Sequence, residues 1–159
     1  VASCLAADLN ELSALIGRPI ADDELEATNA LFASMGRQVT APTYLASVSW
    51  LHRFTRRLSS WWVDHDVLVT PVLGGPPPPL GWLADEAQGL DRVLELIQFT
   101  PEFNVSGQPA ISLPLATSSE GGLPIGVQLV AAYGREDILL ALASDIEAAA
   151  PWADRRPAI

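Results

Sequence analysis

Lysine is absent from this 159-residue chain, and all nine of its basic residues are arginines. No lysine base and no Schiff-base lysine can therefore come from it. Nine basic residues against 19 acidic ones leave a net charge of −10. That balance argues against nucleic acid, which needs a basic face to neutralise its phosphates, and against an anionic membrane surface. Cysteine is represented by Cys4 alone, so no internal disulfide can form; this fits a reducing compartment and a cytoplasmic location. No apolar run reaches the roughly 18 residues of a membrane span, and no charged stretch precedes an apolar one as in a signal peptide. The motifs G-x-S-x-G, S-x-x-K, P-loop, G-x-G-x-x-G, C-x-x-C and H-E-x-x-H are all missing.

Histidine is scarce too. His52 falls within a helical pattern without a partner for chemistry. His65 lies between Asp64 and Asp66. Adjacent residues on an extended chain alternate in direction, so these three side chains do not converge on a metal. A cationic imidazole at a helix C-terminus is the better account of His65. Cys4 has no basic neighbour to activate it. No metal or cofactor is expected.

What remains is apolar enough, at 49% hydrophobic residues, to build a core in a chain of one-domain length. Leu9, Leu12 and Ile16 repeat at helical spacing, and Gly17 and Pro19 stop that helix. The pattern predicts a second helix from Asp22 to Met35, with Gly36 just past its end. A third starts near Thr40 and Pro42 and carries a stripe of Tyr44, Val48, Leu51, Leu58 and Trp62. Asp66 to Pro71 is short, β-branched and apolar at its centre, which predicts a buried strand of a mostly parallel sheet. The run Gly74 to Gly81 contains Pro76–Pro79 and reads as a polyproline-type surface connector. Leu90, Val93, Leu94 and Ile97 mark a short helix that Pro101 ends. Thr100, Phe103 and Asn104 then fall in a loop before a core strand, where binding residues concentrate. Ala110–Leu113 and Ile125–Val130 predict two strands whose close spacing permits antiparallel pairing. A last helix follows from Arg135 to Ala149, with Glu136 and Asp137 in its first turn. The class is α/β or α+β, helical over residues 1–65 and strand, loop and helix over 66–159. Three nearly continuous apolar strands imply part of a larger sheet whose edges need covering. The chain begins Val1-Ala2 without Met, as a piece of a longer polypeptide would.

Three stretches carry a resemblance: Asp66-Val67-Leu68-Val69-Thr70-Pro71; Phe103-Asn104-Val105-Ser106-Gly107-Gln108-Pro109-Ala110-Ile111-Ser112-Leu113-Pro114; and Gly122-Leu123-Pro124-Ile125-Gly126-Val127-Gln128-Leu129-Val130 followed by Gly134-Arg135-Glu136-Asp137. In this order they resemble the C-terminal part of amidase-signature enzymes. The closing AAPWADRRP is most similar to the amidase and 6-aminohexanoate-cyclic-dimer hydrolase branch of that family.

The resemblance implies an α/β fold in which this chain supplies part of a mixed sheet flanked by helices, the sheet incomplete within the chain. It implies a hydrolase that cleaves small non-peptide amides through a Ser–cis-Ser–Lys triad, with no cofactor. Those catalytic residues belong to a Gly/Ser-rich stretch and an earlier lysine, neither of which is here, so no catalytic residue can be carried over and the chain by itself is expected to be silent. Its expected partners are the N-terminal catalytic portion of the same enzyme, through it a small amide substrate, and further copies of itself.

Asp66, Pro71, Gly107, Pro109, Pro114, Pro124 and Gly126 are expected to serve the scaffold. Gly107 can take a positive φ, and the prolines sit where strand ends tolerate a missing N–H. Thr100, Phe103 and Asn104 are the substrate-pocket candidates, with Asn104 also able to satisfy loop backbone groups. The rival expectation is a non-catalytic acidic interaction module derived from an amidase remnant, recognising partners through its charge and Pro76–Pro79. An unrelated Ser-His-Asp hydrolase is a third option, which the missing nucleophile elbow disfavours.

Overall fold

The computed structural model describes residues 1–85, 88–119 and 121–156; Glu120 of the strand-connecting turn and Pro157 of the tail lie outside them. Helix α1, Ala2–Ile16, ends on Gly17 at φ +75°, whose N–H and that of Arg18 reach back to the carbonyls of Ala14 and Ser13. Only a residue without Cβ takes that left-handed cap cheaply. The single helix expected from Asp22 to Met35 is instead two pieces. Asp22–Glu24 is a 3-10 turn, Leu25 is extended, and α2 runs Ala27–Arg37.

Local hydrogen bonding explains the break. The Glu24 carboxylate accepts from both Arg18 guanidinium nitrogens at 2.7 and 2.8 Å and from the Ala21 amide at 2.9 Å. This closes the turn on itself before a longer helix can run through it. The same hydrogen bonds, led by that from Arg18, pull the Glu24 carboxyl down to about 2. Gly36 also differs from expectation. It lies inside α2, buried, where a Cβ would collide with the Ala2 carbonyl of α1. It is a close-approach residue and not a cap.

Helix α3, Ala41–Trp61, starts as expected, with the Thr43 amide donating to Thr40 Oγ1 at 3.4 Å and Pro42 in the first turn. Its apolar stripe is only partly covered, and none of its residues is fully buried. Past its end, the His65 ring stacks on Trp61 at 3.9 Å, with Nδ1 2.9 Å from the Trp61 carbonyl oxygen. This is the helix-terminal setting its position suggested.

Strands β1 (Val67–Pro71), β2 (Ala110–Thr117) and β3 (Pro124–Ala131) form one sheet in the order β1-β3-β2. Both pairings are antiparallel, with Val67 opposite Ala131, and Ala110 opposite Val130. The expected buried, parallel setting of β1 is thus corrected: it is an edge strand within this chain, and Val69 is 60% exposed. Apolar continuity does not carry the direction of the neighbouring strands, and within this chain it does not carry burial of β1 either. Pro114 does not close β2. The register slips between Leu113 and Ala116, a bulge of the kind that accommodates a residue without N–H. Pro124 does begin β3.

One face of the sheet makes the core with α6 (Glu136–Ala149). Leu113, Leu129, Ala131 and Leu139 are its buried centre, with Val67, Ile111, Leu142, Ile146 and Trp152 packed around them. At the start of α6, the hydrogen bond from Arg135 holds the Asp137 carboxyl below its ordinary range. The other face of β3 carries Val130, fully buried, and Gln128, 6% exposed. Between β1 and β2 the chain forms a 3-10 turn at Trp82–Ala84, α4 (Gly89–Leu96) and α5 (Pro101–Ser106). Arg92 of α4 secures the turn. It donates to the Trp82 carbonyl at 2.7 Å, lies 5.1 Å over the Trp82 ring and pairs with Asp85 at 3.2 Å. Among the described residues no helix is long and apolar enough to cross a membrane.

Candidate functional site

The segment expected to be a loop at Thr100, Phe103 and Asn104 is helical. Pro101 does end the preceding pattern, but it does so as the first residue of α5, where a missing N–H is no loss. Thr100 is the half-buried N-cap, its Oγ1 donating to the Ile97 carbonyl at 3.3 Å. Phe103 is 5% exposed and belongs to the interior. Asn104 is on the exposed side of α5. The three share one short helix but do not converge on one point. Gly107 ends α5 at φ +80°, and a Cβ there would press on the Tyr133 ring at 3.3 Å. Asp66 is exposed just before β1. Gly126 lies under Ser112 and Val72, which leave no room for a Cβ.

A cleft of about 490 Å³ lies between the proline run, the end of α4 and the β2–β3 turn. Pro76–Pro79 form one wall; Glu95 and Leu96 at the end of α4, with Ser118, Ser119 and Leu123 at the β2–β3 turn, form the others, and Trp82 adds an aromatic surface. The Gly74 amide donates to the Leu96 carbonyl at 3.2 Å and fixes the loop to α4. Apolar carbon, one carboxylate and two hydroxyls make a surface able to hold an apolar body with a polar end. Thr100, Phe103 and Asn104 are not among its lining residues. A shallower hollow of about 580 Å³ lies between α1 and the following turn. Its two arginines, Arg18 and Arg37, are engaged by Glu24 and Asp22, which leaves it little to offer an anion. Among the described residues, no three His, Cys, Asp or Glu side chains gather as metal ligands would.

Three buried polar residues were not singled out from the sequence: Ser106, Gln108 and Gln128. Ser106 donates to the Glu102 carbonyl at 2.5 Å and bonds Gln108 Oε1. Gln128 was the one readable signal, a lone amide inside the apolar run Ile125–Val130. Its Nε2 donates to Thr70 Oγ1 and to the Phe99 carbonyl, each at 2.9 Å.

This three-stranded antiparallel arrangement, with α6 on one face and α4–α5 inserted between β1 and β2, matches a known family. The family model described as Amidase matches residues 2–140, and the chain belongs to the amidase family. The 6-aminohexanoate-cyclic-dimer hydrolase of Paenarthrobacter ureafaciens is 41% identical over 164 residues, covering 96% of this chain and 33% of that protein. The putative amidase AmiC of Mycobacterium leprae is 44% identical over 105 residues, covering 65% of this chain and 22% of the relative. A solved structure of a 6-aminohexanoate cyclic dimer hydrolase superposes with a TM-score of 0.88 at 38% identity, over 98% of this chain and 34% of the other. The match thus spans about a third of the length of the cyclic-dimer hydrolases and about a fifth of AmiC.

Proposed function

We propose that this chain is the C-terminal part of an amidase that hydrolyses a C–N amide bond of a small non-peptide substrate. The chemistry is acyl-enzyme formation by a Ser–cis-Ser–Lys triad, and the triad lies outside this chain. The observation that carries the reading is the amidase match over residues 2–140 in a sequence without a single lysine. Coverage of only 33% of the 6-aminohexanoate-cyclic-dimer hydrolase supports the same division. In this reading residues 1–159 act as one C-terminal amidase-like unit, which completes the sheet of the N-terminal catalytic portion and lends it a pocket wall. Thr100, Phe103 and Asn104 are the candidates for that wall. The lone cysteine supports a cytoplasmic setting.

The test is amide hydrolysis by the isolated chain and by the chain mixed with a polypeptide carrying the Gly/Ser-rich stretch and the lysine. The 6-aminohexanoate cyclic dimer and short alkyl amides are the substrates. Silence alone and turnover on mixing are expected; turnover by the isolated chain overturns the division of labour. Apolar side chains left outward, such as Leu15 at 85% and Leu45 at 62% exposure, support self-association of the chain on its own. A solution mass above the 17.0 kDa monomer is expected. The second reading, a non-catalytic acidic module, draws on the net charge of −10 and the Pro76–Pro79 cleft. A chain that neither restores turnover on mixing nor joins the catalytic portion would favour it.

A further inference from the structure

We propose that Gln128 is a positioning residue that fastens the turn between α4 and α5 to the sheet. Gln128 lies in β3, the central strand, directly opposite Thr70 of β1 and Ser112 of β2. Its amide nitrogen has two hydrogens and both are used. One goes across the strand pair to Thr70 Oγ1, the other out of the sheet to the Phe99 carbonyl. The Phe99 oxygen can only accept, so this bond also fixes which end of the amide is nitrogen. At 6% exposure no bulk water competes for these hydrogens, so losing either partner leaves a buried donor or carbonyl unmatched.

The turn needs such a tie. Helix α5 is six residues long, too short to be stable alone. Its N-cap Thr100 makes no side-chain cap bond to it. Phe103 anchors the helix by burial, and burial is indifferent to small sliding. The Gln128 bond is directional and sets the height of Phe99, next to Thr100, above the sheet. It works together with the Gly74–Leu96 bond, which holds the end of α4 and so the Glu95–Leu96 wall of the cleft. Because Thr70 shares the same nitrogen, the position of the turn is coupled to the edge strand β1. The bearing on substrate rests on the pocket reading proposed above; the fastening itself does not.

The experiment is amide hydrogen exchange on Gln128→Glu, compared with the parent chain at each pH. The substitution keeps the shape and replaces both donors with acceptors facing the Phe99 carbonyl. At neutral pH, exchange over residues 98–106 should rise about tenfold or more, while β3 and α6 change by less than about threefold. Burial raises the pKa of the introduced carboxyl. On acidification its protonated form regains one O–H for Phe99, and local protection should return. Thr70→Val should give a smaller local rise, and Thr70→Ser, which keeps the acceptor, should match the parent. If Gln128→Glu fails to fold, the Thr70 pair carries the test.

A rise spread evenly through the sheet and α6 would overturn the proposal, as would no difference between Thr70→Val and Thr70→Ser. In the complete amidase, a raised KM with kcat retained would show that the fastened turn faces substrate. Unchanged kinetics beside a local rise in exchange would uphold the fastening and remove the turn from the proposed pocket.

Discussion

Helices α1 and α6 are similar in length, 15 and 14 residues, and both are rich in Ala and Leu. Helix α6 lies on the sheet and buries Leu139 to 3% exposure, with Leu142 and Ile146 packed beside it. Helix α1 packs against α2 and buries Ala6 and Leu9 there, outside the sheet core, while Leu15 stays 85% exposed. The same spacing therefore produces a core in one place and a half-covered helix in the other. What differs is the partner: a sheet offers a broad apolar face, whereas one short helix offers a stripe.

The sharpest test of this contrast is to truncate one leucine in each helix. Leu139→Ala should lower stability by about 2–5 kcal/mol in urea unfolding, and Leu15→Ala should stay within about 0.5 kcal/mol. Equal effects would mean that Leu15 is covered as Leu139 is. Next in size, Gly36→Ala forces a methyl into the Ala2 carbonyl and should cost about 1–3 kcal/mol. If the α1–α2 pair and the sheet layer are separate units, tryptic cleavage after Arg37 should accelerate in this variant while cleavage after Arg135 does not.

Smaller again, Gly107→Ala places a Cβ at φ +80° beside Tyr133 and should cost about 1–2 kcal/mol, read as a drop in Tm. The smallest effect is electrostatic and confined to the α1–α2 pair. The Glu24 carboxyl is held at about 2, below its ordinary 4.5. Its contribution is present above pH 4.5 and fades as pH falls toward 2. Acid should therefore loosen the Arg18–Glu24 turn first, and Glu24→Gln should flatten that part of the pH profile, measured by amide exchange at Ala21.

Much of the architecture was legible in the residues. The end of α1 at Gly17, the start of α3 at Thr40 and Pro42, and the whole of α6 follow from caps, prolines and apolar spacing. Besides the places of Gly36 and Pro114, three larger features did not. The break at Leu25 depends on Arg18, outside the window that looked helical. The direction of β1 depends on β3, some 58 residues away in the Gln128–Thr70 bond. Helix α5 was hidden because Pro101 marks both the end of one helix and the first turn of another. The candidate site suffered in the same way. Thr100, Phe103 and Asn104 stood out as loop residues, whereas Gln128 derives its meaning from two acceptors that only the fold brings to it.

The polyproline wall has a chemical consequence of its own. Residues 76–79 are joined through four successive tertiary amides, so this stretch of the wall has no amide hydrogen to offer. Beyond apolar contact with the rings, a guest hydrogen-bonds to those four residues only by supplying an N–H or O–H of its own. And because those rings were already stiff before the chain folded, holding the wall open sacrifices little freedom.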